Sequence, residues 1–577
     1  MNRILLGLII FLAFGLSQPV IAQDDHSQMI DSIFADRGEV YFSFKIADKE
    51  DLHNLTRRIS IDQVKGKKVY AYANKQEFSD FLAYNFKFNI LPHPGTLLSV
   101  SEVNANRDGK LPGYRTLWNF YPTYEQYVDF MAGFAASYPT ICRLDTVGYS
   151  MQGRLILALV ISKNVNIEEA EPQFLYTSSI HGDETTGFIL MLHLIDHLLI
   201  NYGIDPVITE IVNTTEIFIN PLANPDGTYR GGNNTVYGAV RYNANNIDLN
   251  RNFPDPKAGQ HPDGNPWQVE TEAWMAYAEN NHFSMSANFH GGAEVFNYPW
   301  DTWSKLTADD DWWQFVGREW ADTVHQYGPP GYFDDENNGI TNGYAWYEIN
   351  GGRQDYMNYW HNCREVTLEI SNIKLLPVSL LLPFWDYNYR SFLNFIRQAN
   401  YGFNGIVTDT VTDQPIAAKV FISGHDKDFS EVYSRATTGF YSRQIYAGNY
   451  DVTFSAPGYF TKTIKNVSVS KRTTTSLDVQ LRPLTFDAQD KSVSSVFIYP
   501  NPSDGHFRLA LPENSIKPLC SIQIINTLGS IIYSSEVNRL SENTTVDISV
   551  PNLANGLYYL KFNSGYKIYV DKLIIKK

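Results

Sequence analysis

"QFLYTSSIHGDETTGFILMLHLIDHLL", residues 173–199, passes from an apolar, aromatic run through a turn bearing one histidine and two carboxylates into apolar residues at helical spacing. The pattern reads as a buried strand, a short connection and a long helix, the repeating unit of an α/β fold. The polar groups of the turn have two readings. Asp183 or Glu184 beside the first helical turn would satisfy free backbone N–H groups and favour the positive end of the helix dipole. Alternatively, His181 and Glu184 form half of a metal site at the carboxyl end of a strand, which requires a third protein ligand elsewhere.

The same alternation continues outward on both sides. Between residues 117 and 402, strand-like runs ("LILALVIS", "EIFINPL", "SMSANF", "EVTLEIS") alternate with helical ones ("YEQYVDFMAGFAASY", "ETEAWMAYAENN", "WWQFVGREWADTVHQYG"). This predicts an α/β domain, a mixed β-sheet flanked by helices, with functional groups at the carboxyl ends of strands. Before it, residues 23–91 read as a small α+β unit placed like a pro-segment. Val40, Phe42, Phe44 and Ile46 line one face of a strand there, and Phe78, Phe81 and Leu82 recur at helical spacing. Residues 92–116, rich in Pro, Gly and polar residues, read as a linker. The first 22 residues combine Arg3, an apolar core and a small-residue site at Val20-Ile21-Ala22, the pattern of an export signal. After residue 402 the texture becomes short strands and turns: a β-sandwich over 403–483, a polar linker over 484–495 and a second small β-sandwich over 496–577.

A chain of 577 residues exceeds what one core supports. A net charge of −16, with no concentrated basic stretch, excludes nucleic acid as a general partner. No later segment has the length and apolarity of a transmembrane span. Only three cysteines occur, Cys142, Cys363 and Cys520, so at most one disulfide is available.

Two places offer the missing ligand. In "HLIDH", His193 and His197 share a helix face, but Leu194 stands where a metalloprotease helix carries its base, and the pair reads as structural. His290 ends the run "SMSANF" and precedes Gly291 and Gly292, which allow close backbone approach. In "YNANNIDLNRNFPD", residues 242–255, Asn250 and Arg251 are suited to gripping a carboxylate through paired N–H donors.

"HGDE", "NPDG", "VRYNANNIDLNRNFPD", "QVETEAW", "SANFHGGAEVFNYPWD", "GITNGYAWYEINGGRQDY" and "NCREVTLEI" occur in this order. Together they resemble the zinc metallocarboxypeptidases of the carboxypeptidase A type, in particular the regulatory branch containing carboxypeptidases D, E and N, whose transthyretin-like domain follows the catalytic one. The resemblance implies one zinc ion held by His181, Glu184 and His290, with peptide or protein C-termini as substrates. Glu369 would be the general base; Glu365 shares its strand face, so alternation alone leaves the two open, and the family register selects Glu369. Arg241 would stabilise developing negative charge, Asn250 and Arg251 would hold the terminal carboxylate, and Tyr347 would close over it. Asp301 and Gln354 match the pocket that selects Lys or Arg, on condition that Arg353, its neighbour on what reads as a strand, points away from Asp301. The last module, with "YPNPSDGHFRL", "IINTLGSIIYSS", "LANGLYYLKF" and "DKLIIKK", resembles the C-terminal sorting domain of the type IX (Por) secretion pathway of Bacteroidetes. This implies the secretion machinery as a partner and a secreted or cell-surface protein. The competing expectations are a peptide-binding surface protein on a decayed carboxypeptidase fold and a murein-peptide hydrolase. The first predicts loss of a ligand or base, and all are present.

Overall fold

The computed structural model describes residues 23–48, 50–103, 118–484, 497–510, 520–537, 545–563 and 568–577. The export signal, the linker from residue 104 and nearly all of the second linker lie outside them.

In the N-terminal unit, strands β1 (Glu39–Lys45), β2 (Ser60–Lys65), β3 (Lys68–Asn74) and β4 (Phe88–Ile90) form an antiparallel sheet in the order β2-β3-β1-β4. Val40, Phe42 and Phe44 alternate inward as the period-two pattern requires, and Phe42 packs 4.8 Å, centroid to centroid, from Phe81. The helix Lys75–Leu82 starts at a capping box in which Asn74 and Glu77 satisfy each other's backbone N–H. It buries Phe78 and Phe81 and leaves Leu82 exposed, so the apolar stripe is narrower than the sequence implies.

The central domain is built on eight strands: β5 (Cys142–Tyr149), β6 (Leu155–Ile161), β7 (Gln173–Ser178), β8 (Glu216–Asn220), β9 (Phe283–His290), β10 (Glu294–Tyr298), β11 (Ile340–Asn342) and β12 (Arg364–Ile370). Their order is β11-β10-β12-β9-β7-β8-β6-β5. The inner pairs β7/β8, β7/β9 and β9/β12 are parallel, whereas β5, β6 and β10 join antiparallel, so the sheet is mixed. Helices Tyr124–Ser137, Thr186–Asn201, Asp310–Tyr327 and Val378–Gln398 supply buried residues to one large core with the sheet. One file of residues breaks the apolar interior. Register pairs Glu365 with Ser286, Thr367 with Asn288 and Glu369 with His290 across β12 and β9. Alternation therefore puts six polar side chains on one sheet face, ending in a histidine and a glutamate side by side.

Later in the chain, strands Phe440–Arg443, Gly402–Asp409, Thr474–Ser476 and Val479–Leu481 form one four-stranded sheet, and Val432–Tyr433, Lys419–Ile422, Gly448–Ser455 and Lys462–Val469 another. The tail carries a three-stranded sheet (Phe497–Tyr499, His506–Ala510, Thr545–Ser549) and a four-stranded one (Ile531–Val537, Cys520–Asn526, Gly556–Asn563, Ile568–Ile575). The chain divides into two compact units, and residues 23–407 fall wholly in the first. Among the described residues no single helix is long and apolar enough to cross a membrane. One bent pair, Thr186–Asn201 with Pro206–Thr214, passes by length and composition, and its first helix is buried in the core. The three cysteines are buried and form no disulfide.

Candidate active site

The turn after β7 is held tightly. Ser179 takes a positive φ of 57° and its hydroxyl donates to Glu184 O at 2.9 Å, while the Gly182 N–H donates to Arg241 O at 3.1 Å. A Cβ on Gly182 would lie 2.3 Å from the Gly227 carbonyl carbon, so only glycine permits this approach. The helix begins at Thr186 and its N-cap, Thr185, makes no side-chain capping bond. Neither carboxylate caps it. Asp183 instead accepts from Tyr72 Oη of β3 at 2.6 Å.

Glu184 turns toward the two histidines. His181 Nδ1 lies 3.0 Å from Glu184 Oε1, His290 Nδ1 lies 2.8 Å from Glu184 Oε2, and the two ring nitrogens are 3.0 Å apart. Burial pushes His290 down to about 4, so its ring is neutral at ordinary pH. Burial opposes ionisation of Glu184, but His181, Lys374 and His290 outweigh it and hold the carboxyl well below its usual range. Two imidazole nitrogens and a carboxylate oxygen converging within 4.8 Å are a donor set for one metal ion, and the N/N/O chemistry suits zinc. His181 Nε2 faces Asp248 Oδ1 at 3.0 Å, which fixes the tautomer that leaves the Nδ1 lone pair pointing into the cluster. His193 and His197 stay outside. His193 stacks on Trp385 at 3.8 Å and His197 bonds Asn201.

The two candidate bases separate. Glu365 is bound by Arg353 through Nε and Nη2, both at 2.9 Å, and by the Ser286 hydroxyl. Glu369 remains without a partner at Oε2, beside His290 on the next strand. Burial, and then the Glu184 carboxylate, raise its carboxyl well above the usual range.

Arg241 reaches Glu184 Oε1 at 3.2 Å and Asp248 Oδ2 at 3.1 Å. Asn250 Oδ1 accepts from the Arg353 N–H, and Arg251 Nε is buried without a partner. Tyr347 Oη and Arg251 Nη2 both donate to Ile61 O of β2, each at 3.4 Å. At the pocket, Asn297 Nδ2 and Gln354 Nε2 donate to Asp301 Oδ1 at 3.1 and 3.0 Å. Arg353 and Gln354 open a helix (Arg353–Trp360), not a strand, and the ion pair with Glu365 rather than strand alternation keeps Arg353 off Asp301.

Three features have no signal in the local sequence: Asp248 behind His181, Asn297 on Asp301, and Lys374, whose Nζ lies 2.7 Å from Glu184 Oε1. A fourth is larger. Strand β2 lies across the site, with the Ser60 hydroxyl on Asp248 and Arg241 and with Asp62 Oδ1 2.6 Å from Lys374 Nζ and 3.8 Å from Arg241 Nη1. His181, Glu184, His290 and Arg241 are consequently no more than 3% exposed.

A mixed sheet with a His-Glu-His cluster at its strand ends, a carboxylate beside it and arginines converging on it defines a metallohydrolase-type site. The family described as zinc carboxypeptidase matches residues 127–391, the carboxypeptidase regulatory-like domain 402–482 and the secretion system C-terminal sorting domain 497–576. The chain is 35% identical over 383 residues to the mouse carboxypeptidase N catalytic chain, covering 60% of this chain and 82% of that one. It is 35% identical over 344 residues to mouse carboxypeptidase M, covering 57% and 76%. Human carboxypeptidase D is 36% identical over 385 residues, covering 63% of this chain but only 27% of that relative. The crystal structure of the carboxypeptidase A from Helicoverpa armigera aligns with a TM-score of 0.49 at 16% identity, over 62% of this chain and 96% of that one. The chain belongs to the zinc carboxypeptidase family.

Proposed function

We propose that this protein is a secreted zinc carboxypeptidase that releases one C-terminal residue, preferably Lys or Arg, from peptides or proteins. The observation that carries this reading is the placement of β2. Ile61 O rests on Arg251 and Tyr347 while the side chain of the next residue, Asp62, reaches towards Arg241. Neighbouring residues of an extended chain are about 3.3 Å apart, so the carboxylate grip and the hydrolytic centre lie one residue apart. A chain end held by Asn250, Arg251 and Tyr347 then presents its last peptide bond, and no other, to the metal cluster.

A zinc ion held by His181, Glu184 and His290 would supply a Lewis acid and lower the pKa of a water towards about 7. Glu369 takes the proton from the attacking water and returns it to the leaving amine, the work of a positioned carboxylate. Arg241 donates N–H bonds to the carbonyl oxygen as it becomes negative. Asp301, oriented by Asn297 and Gln354, pairs with the cationic side chain of the departing residue. Export and passage through the type IX machinery by way of residues 496–577 complete the reading. Residues 23–91 act as a pro-segment whose β2 blocks the cleft.

The test uses the full chain loaded with zinc, before and after proteolytic separation of residues 23–91, on matched peptides ending in Lys, Arg, Phe, Leu and Glu. Chelator-sensitive release of Lys and Arg is expected. Preference for Phe or Leu removes Asp301 as selector, and absence of release in both forms returns the peptide-binding reading. Release is expected to rise at least tenfold on separation, and partially in the intact Asp62→Ala chain, where β2 loses its grip on Lys374 and Arg241. Equal rates in all forms would show that β2 does not block.

A further inference from the structure

The Asp301 carboxylate belongs to the turn after β10, and that turn is held from one helix at two points. Asp301 N and Thr302 N donate to the Asp355 carboxylate at 3.0 and 2.8 Å. One helical turn further on, the Tyr359 ring packs beside Trp303 at 5.6 Å and Trp300 at 6.3 Å, centroid to centroid. Asp355 and Tyr359, four residues apart, share a face of the helix Arg353–Trp360, whose Gln354 also grips Asp301. Where the selecting carboxylate sits therefore depends on where Tyr359 sits.

Tyr359 is held in turn by a segment from later in the chain. Residues 425–430 lie between the strands Lys419–Ile422 and Val432–Tyr433 and fall in the same compact unit as residues 23–407. From this loop the Phe429 ring lies against Tyr359 at 4.6 Å. Anchors on both sides fix the loop. Asp426 accepts from Arg443 Nη2 and from Ile422 N, both at 2.7 Å, and the fully buried Arg443 also pairs with Asp309 at 2.8 Å. Asn362 Nδ2 donates to Phe429 O at 2.8 Å, Arg364 Nη2 donates to Ser430 O and to Asp309, and Lys305 Nζ pairs with Asp428.

These anchors hold an unfavourable backbone. Asp428 and Phe429 take positive φ angles of 52° and 62° in succession. A bulky side chain rarely adopts the left-handed region, and such strain persists only where the surroundings impose it, characteristically at functional sites. Core burial does not explain it, because Phe429 remains 51% exposed. What the strained backbone delivers is the contact with Tyr359.

We propose that Phe429 is a positioning residue for the specificity pocket. It braces Tyr359 against the Trp300–Trp303 turn and so fixes where Asp301 meets the side chain of the departing residue. This rests on the reading of Asp301 as selector. Phe429 acts through Tyr359 and not on the substrate, and through it the segment beyond the catalytic domain takes part in substrate choice.

The experiment compares wild type, Phe429→Gly and Phe429→Tyr, each as the zinc-loaded full chain after separation of residues 23–91, on matched peptides ending in Arg and Leu. Glycine removes the ring and relieves the positive φ together, so the thermal unfolding temperature should hold or rise. The ratio of kcat/KM for Arg over Leu is nevertheless expected to fall about tenfold, within the loss that misplacing a binding group from a distance produces, through a higher KM for the Arg peptide. Release of Leu should change little, and Phe429→Tyr, which keeps the ring, should keep the ratio. A ratio unchanged in Phe429→Gly, equal loss on both peptides, or loss in step with a lower unfolding temperature would overturn the proposal. A wild-type ratio of about one fails differently: it removes Asp301 as selector and the role of Phe429 with it. If wild type cleaves nothing, the carboxypeptidase reading fails separately. Phe429 is then judged by calorimetric affinity for the same peptides ending in uncleavable D-Arg and D-Leu, where a deficit of Phe429→Gly confined to D-Arg supports it and any other pattern refutes it.

Discussion

Glu369→Gln is expected to lower kcat on a peptide ending in Arg by about 1000-fold, within the range for removal of a positioned general base, while the chain keeps one equivalent of zinc and its thermal unfolding temperature. The side chain is isosteric. Because Glu369 Oε2 has no partner in the fold, the amide disturbs no existing contact. Burial and Glu184 raise the Glu369 carboxyl well above the usual range, which makes it a stronger base once ionised than an exposed glutamate. Glu365→Gln, four residues earlier on the same face, is expected to behave in the opposite way. It removes the charge that compensates Arg353, which is 1% exposed. Breaking one side of a buried pair costs about 3–5 kcal/mol, so this variant should unfold at lower temperature. Activity and zinc content together with thermal melts of the two variants separate the roles. Equal loss of activity at unchanged stability would refute the assignment of Glu369.

Asp301→Asn is expected to reduce kcat/KM for C-terminal Lys and Arg by about 100-fold, or about 3 kcal/mol, typical for truncating one member of a desolvated charge pair. Release of Leu should change little. Its pH behaviour gives a second signature. Burial pushes the Asp301 carboxyl up to about 7, with Asn297 and Arg251 opposing the rise and Asp255 and Glu365 adding to it. The raised value means that the pocket is neutral below this pH and anionic above it. Folding of the empty protein is therefore favoured by the protonated form, and that contribution is lost as the pH climbs through about 7. Cation selection moves the other way. The ratio of kcat/KM for Arg over Leu substrates should rise through pH 7 in the wild type and stay flat in Asp301→Asn. Taking a ratio cancels the titration of groups common to both substrates. A flat wild-type ratio would show that another group sets the preference.

What the sequence determined by itself is what local periodicity and local chemistry encode. Alternation along β1, β9 and β12 follows from side-chain geometry, and so do the helices that cover the sheet. His181 and Glu184, in the turn between an apolar strand and a helix, and His290, at the end of a strand-like run before two glycines, stood out as candidates, and the family resemblance joined them into one ligand set. Other parts depended on residues far apart in the chain. Strand alternation put Glu365 and Glu369 on one face and left them open; the family register selected Glu369, and the physical difference between them is Arg353, brought in by the helix Arg353–Trp360, which consumes Glu365. Asp248 on His181, Asn297 on Asp301 and Lys374 on Glu184 are likewise decided by packing of loops onto the sheet edge. The occlusion of the site is the clearest case. Residues 60–65 read as an ordinary strand, and nothing in their pattern shows that Asp62 meets Lys374, 312 positions later in the chain. Period and spacing report which way a side chain faces within its own element. Which charge it meets there depends on how distant elements pack, and only the tertiary structure decides that.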